Sequence, residues 1–212
     1  MRNSPVLFNQ TKPAIIRIWH WLAFLFFAAT VTTVILASTL FKARNNIDMV
    51  QAMVKEKGGI ITPDQAKNVA HEYNDKLWNL HKYIGFGLAF LMLWRIVAEV
   101  VVAKNKKMSS RIKVALGYTD ATNDKKHYLM VQCSYLIFYL LFLTMATTGL
   151  ILAFEDVELL KPLQGVAKNI HSLVQWGLYG FMIFHIVGVI IADCGEHGGI
   201  VSRMINGKES RG

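Results

Sequence analysis

Three stretches of this chain, residues 18–41, 128–154 and 169–192, contain no Asp, Glu, Lys or Arg. Each is longer than the ~20 residues with which a helix crosses the hydrocarbon core of a bilayer. A fourth run, residues 78–103, is rich in Leu, Phe and Trp and is interrupted by Lys82, Arg95 and Glu99. Backbone polar groups in lipid must be satisfied within their own segment, so runs of this length read as helices. The expected fold is an all-α integral membrane four-helix bundle, with spans at about residues 16–41, 78–103, 128–154 and 170–192. Composition agrees, with 53% hydrophobic and 17% charged residues among 212, too apolar for a soluble domain of this size. No repeat or linker-like tract divides the chain, which reads as a single transmembrane domain over residues 1–212. The first run is longer than the ~7–15 apolar residues of a secretory signal, and no small-residue cleavage site follows it, so it reads as a retained helix.

The formal charge of +9 does not point to nucleic acid, because the basic residues lie between the apolar runs, where they meet anionic membrane lipid. Their distribution sets an orientation. The N-terminus, the connection from residue 104 to 127 and the C-terminal tail carry thirteen Lys and Arg, whereas residues 42–77 and 155–170 carry eight. The positive-inside rule therefore places both termini in the cytoplasm. The segment between the first two spans is more than a connector. Residues 47–57 have helical apolar spacing and end at Gly58-Gly59, and Thr62-Pro63-Asp64-Gln65 has the form of a capped helix start running towards the second span. A small helical extramembrane cap over about residues 45–76 is expected on the outer face, where it shields the bundle or docks a partner. Cys133 lies in one apolar run and Cys194 just after another, so a disulfide framework is not expected.

Four of the seven histidines, His20, His81, His171 and His185, lie in the spans or at their ends. An ionisable side chain in a membrane is costly and marks a candidate functional site. His171 and His185 are 14 residues apart, which on a helix is about 21 Å along the axis and within about 40° of one face. Two haems stacked through a membrane need ligands separated in this way. With the assigned orientation, His81 and His171 lie towards the outer side, while His20 and His185 lie towards the inner side. Two histidines facing each other across a bundle core bind haem iron from both sides, which leaves no open coordination position and suits electron exchange. No C-x-x-C-H occurs, so attachment is not of the c type. Zinc or di-iron fits less well, because no carboxylates accompany the histidines at ligand spacing.

Arg95 repeats the 14-residue step from His81 and falls level with the inner haem. It either meets a haem propionate or pairs with Glu99 four residues on. Arg17 and Lys82 adjoin ligands and are further candidates for propionates, with snorkelling to lipid headgroups as their ordinary role. Gly85, Gly87 and Gly188 follow two of the ligands, where either a flat cofactor or helix packing brings backbone close. His71, His127 and His197 read as solvated loop residues, with a quinone contact as the alternative for His127. The third span, with Tyr139, Phe142 and Met145, reads as structural.

Three segments resemble the bacterial four-helix cytochrome b561 family, which includes the b-type cytochrome subunits of nickel–iron hydrogenases. They are Arg17-Ile18-Trp19-His20-Trp21, Leu80-His81-Lys82-Tyr83-Ile84-Gly85, and His171 and His185 with Gly188 and the tail from Gly199 to Gly207. The resemblance implies two b haems, His81/His171 outside and His20/His185 inside. It also implies a bacterial inner-membrane location and electron exchange with the quinone pool or with a periplasmic redox protein. That partner would be a c-type cytochrome or a dehydrogenase or hydrogenase subunit, and a homodimer stays open. Whether the chain is itself an enzyme also stays open. The alternatives are a stand-alone quinone-linked oxidoreductase acting on superoxide or another small oxidant, and a haem-free membrane scaffold.

Overall fold

The computed structural model describes residues 12–101, 123–195 and 199–207, with the backbone alone at residues 100 and 123–129. Every regular element among them is helical. These are α1 (Ala14–Ser38), α2 (Ala43–Glu56), α3 (Pro63–Val101) and α4 (Asn123–Ala153). A short 3-10 turn (Glu158–Leu160) then leads into α5 (Lys161–Cys194) and α6 (Ile200–Asn206). Four helices are long and apolar enough to cross a membrane, over Ala14–Ser38, Pro63–Glu99, Met130–Ala153 and Glu158–Cys194. Large apolar side chains on these helices, among them Phe24, Leu93, Leu140 and Phe184, are exposed. That suits a lipid environment and would be costly in water. The fold is an all-α membrane helical bundle.

Local sequence explains where the helices begin and end. The Pro13 carbonyl accepts from the amides of Ile16 and Arg17, opening α1. At the start of α3, the Thr62 amide donates to Gln65 Oε1 at 2.9 Å and the Gln65 amide donates to Thr62 Oγ1 at 3.2 Å. This reciprocal cap is the one the Thr62-Pro63-Asp64-Gln65 sequence announces. From it α3 runs 39 residues without a break, so the second apolar run is the latter part of a longer helix. Gly58 closes α2 with a positive φ of 78°, a conformation that side chains with a Cβ rarely adopt. His71, expected in a loop, stands on α3 because that helix starts fifteen residues before the apolar run it feeds. The expectations for His197, for the basic connection through residue 122 and for the charges within residues 1–11 and 208–212 lie outside the described residues. At His127 the helix is described but not the side chain.

The chain gathers into two compact units, one formed by the residues up to Leu22 and from Ala89 onward, the other by Ala23–Leu88. In the Ala23–Leu88 unit, small buried residues, Ala37, Ala43, Ala66 and Ala70, let the helices approach closely. Asn74 Nδ2 donates to the Ala37 and Phe41 carbonyls at 2.8 and 2.9 Å. The Ala37 carbonyl is one that the end of α1 leaves unpaired, and Phe41 lies in the turn that follows. In the other unit the core is aromatic. Phe142, fully buried, packs beside Trp19 and Phe138, and Phe138 stacks on Phe181 with ring centres 4.9 Å apart. Trp19 Nε1 donates to the Leu91 carbonyl at 2.6 Å. Helix α6 returns to the start of α1, where Trp21 Nε1 donates to the Met204 carbonyl at 3.3 Å.

Candidate functional site

His20 on α1 and His185 on α5 belong to the same compact unit, and their ring centres are 6.1 Å apart. Two imidazoles on opposite sides of one metal ion, each bonded at about 2 Å, hold their ring centres roughly 6 Å apart. The separation therefore fits a single iron between them. Both rings are set by aromatic neighbours. His185 lies parallel to Phe181, one turn earlier on α5, with centres 6.0 Å apart and planes 8° apart. Trp21 meets His20 edge-on at 5.6 Å. Among the described residues no group of three or more His, Cys, Asp or Glu converges on one point. A pair of imidazoles suits an iron whose other ligands come from a macrocycle.

His81 and His171 have a different setting. His81 on α3 faces Thr33 on α1, with Nδ1 and Oγ1 3.0 Å apart. His171 on α5 faces Thr148 on α4, again with Nδ1 and Oγ1 3.0 Å apart. In both cases the hydroxyl proton is already engaged. Thr33 donates to the Thr30 carbonyl at 2.7 Å, and Thr148 donates to the Thr144 carbonyl at 2.7 Å. With that proton on the helix carbonyl, the oxygen accepts from the ring and Nδ1 is the donor, the arrangement that an Nε2–iron bond requires of a neutral imidazole. Each ring is thereby assigned as the Nδ1–H tautomer, with its lone pair on Nε2, the atom suited to iron. An interhelical hydrogen bond in a membrane is worth about 0.6 kcal/mol on average. Losing a partner that orients a metal ligand costs about 10–100-fold in metal affinity or activity. The second effect is the larger.

Gly149 makes room for the His171 ring. A Cβ there would lie 3.2 Å from Cε1 and 3.7 Å from Nδ1. Helix α4, expected to be purely structural, thus supplies two of the contacts that set His171. Of the glycines that follow His81 and His185, Gly87 serves helix packing, since a Cβ would overlap the Phe26 ring at 2.0 Å, whereas Gly85 and Gly188 have no atom within 4 Å of a Cβ position.

Arg95 has found both protein partners within reach. Its Nε donates to Tyr139 Oη at 2.8 Å, and its Nη1 donates to Glu99 Oε2 at 2.9 Å. Arg17 lies against Gly207, whose φ of 70° closes α6 and where a Cβ would collide with the guanidinium. The Nε of Arg17 and the Nε2 of Gln164 are buried and have no hydrogen-bond partner among the described residues. Such an orphaned donor costs on the order of 1–3 kcal/mol if left unsatisfied. Arg17 precedes His20 by three residues and Gln164 precedes His171 by seven, so each shares its histidine's helix face, about one and two turns away respectively. An acceptor such as a carboxylate would satisfy both. Lys82, next to His81 on α3, is half-buried.

A cavity of about 420 Å³ opens in the Ala23–Leu88 unit. It is lined by Lys42, Arg44, His71, Asn74 and Trp78, with Ala37, Ser38 and Ala43. The Trp78 ring stands edge-on to His81, with centres 5.6 Å apart.

The residues missed in reading the sequence are Thr33, Thr148, Gly149, Tyr139 as a partner of Arg95, and Gln164. No short motif marks them, since each acts on a residue far away or through an unsatisfied bond. Comparison with curated proteins and with solved structures finds no match. A family model described as prokaryotic cytochrome b561 matches residues 12–207, which covers all four spans and all four intramembrane histidines. The chain belongs to the prokaryotic cytochrome b561 family, and its work is transmembrane electron transfer with b-type haem.

Proposed function

We propose that the chain holds two b haems, one between His20 and His185 and one between His81 and His171. It would carry electrons between a periplasmic redox protein and the membrane quinone pool. The observation that supports this most is the 6.1 Å separation of the His20 and His185 ring centres within one compact unit. When bound, each haem would supply one-electron exchange, with its histidine pair holding it. Arg17 and Gln164 offer their buried donors to propionates at the inner and outer haem respectively. Lys82 adds positive charge beside His81. Arg95, held in its fork by Tyr139 and Glu99, presents a guanidinium level with the inner haem. Lysine and arginine distribution supports an orientation with both termini in the cytoplasm of a bacterial inner membrane and α2 outside.

The test is haem content by pyridine haemochrome, followed by quinol-driven reduction of the protein in liposomes. Two b haems per chain, both reduced by quinol and reoxidised by an added c-type cytochrome, are expected. One haem per chain, or haem that quinol does not reduce, would contradict the proposal. A second reading, oxidation of a small anion such as superoxide by the protein alone, is favoured by the cavity lined by Lys42, Arg44 and His71 beside Trp78 and His81. Quinone reduction by the purified protein exposed to a superoxide source, lost in Lys42→Glu/Arg44→Glu, would support it. No activity without a partner would exclude it.

A further inference from the structure

We infer that Thr33 and Thr148 are positioning residues that hold His81 and His171 as Nδ1–H tautomers and thereby lower the midpoint potential of the haem ligated by that pair. The inference rests on the proposed pairing of His81 with His171. The same small construction occurs twice, once in each compact unit. A threonine on the preceding span gives its proton to a carbonyl of its own helix and turns its oxygen to the histidine at 3.0 Å. The repetition is not forced by the helices, since Thr32 and Thr147 also donate to carbonyls of their own helices and stand at exposed positions. At Thr148 the ring has been given space as well, by a glycine at position 149.

The consequence follows from charge. An imidazole that donates from Nδ1 to an acceptor carries more electron density on Nε2 and is the more basic ligand. A more basic axial ligand favours ferric over ferrous iron and so lowers the potential. Neither His20 nor His185 has a hydrogen bond to its ring among the described residues; they meet aromatic rings instead. The threonines therefore act on one haem and not on the other.

The test uses the purified full-length protein with its haem, carrying Thr33→Val or Thr148→Val, which keep shape and remove the acceptor. A redox titration followed by the reduced-minus-oxidised spectrum reads both midpoint potentials. Each variant is expected to raise the same one of the two potentials, by about 59 mV for a tenfold change in the ferric-to-ferrous preference of a one-electron centre. The double variant should raise it further, and Thr33→Ser and Thr148→Ser should restore the parent value. Unchanged potentials in valine variants that keep both haems would overturn the inference, as would serine variants that shift as far as valine. If a valine variant loses haem, retention by its serine counterpart supports the role and loss in both contradicts it. Valine variants that move different potentials would overturn the pairing of His81 with His171, and with it the action on a single haem. A protein with no b haem would instead contradict the proposed function itself, so the two failures are distinguishable.

Discussion

The four intramembrane histidines fall into two environments. His81 and His171 each lean on a threonine oxygen, whereas His20 and His185 lie among aromatic rings that run from Trp19 through Phe142, Phe138 and Phe181. Both settings fix a ring, but by different physics. A hydrogen bond fixes which nitrogen carries the proton as well as the ring's angle. Stacking fixes the plane by shape and leaves the tautomer open. One fold thus has two ways to hold an imidazole, and the two proposed haem sites would differ accordingly.

The comparison can be broken at several points. The largest effect is expected from Phe142→Ala, which empties the fully buried centre of the aromatic cluster. The expected cost is about 3–5 kcal/mol, seen as early thermal loss of the His20/His185 haem with the other retained for longer. Equal loss of both would mean that the clusters are not separate supports. Next is Arg95→Gln, which removes the ion pair with Glu99 and the hydrogen bond to Tyr139, at about 1.5–3 kcal/mol. A denaturation midpoint equal to that of the parent would show that the ion pair is idle. Gly149→Leu pushes on the His171 ring and is expected to weaken haem retention at that histidine about tenfold or more. Its contradiction is a variant whose haem content and spectrum match the parent. The smallest effect belongs to Phe181→Leu, which trades a stacked ring for an aliphatic side chain at about 0.5–1.5 kcal/mol. It should shift only the spectrum of the His20/His185 site.

Much of this was legible in the sequence because the membrane imposes a strong code. Charge-free runs of 24 to 27 residues have few other readings. The capping pair Thr62 and Gln65 is local enough to be read directly. The histidines were found by spacing, since a 14-residue step on a helix returns to nearly the same face. What remained hidden depends on tertiary contact. Thr33 and Thr148 resemble Thr30, Thr32, Thr144 and Thr147, all of which donate to carbonyls of their own helix, and only the position of a distant ring separates them. Gly149 resembles any small residue of a membrane helix until the ring beside it is seen. Arg95 had two readings, a propionate or Glu99. The structure adds a third partner, Tyr139, which was read as packing because a tyrosine on an apolar helix gives no sign of what its hydroxyl meets.

The central claim is that the histidines act in two pairs, and single replacements of one member from each pair test it most directly. His81→Ala and His185→Ala are purified side by side, and haem content and reduced-minus-oxidised spectra are recorded for each. The account predicts one haem per chain in both variants, with complementary spectra that sum to that of the parent protein. If both variants lose the same spectral component, or if either one loses both haems, the pairing is contradicted.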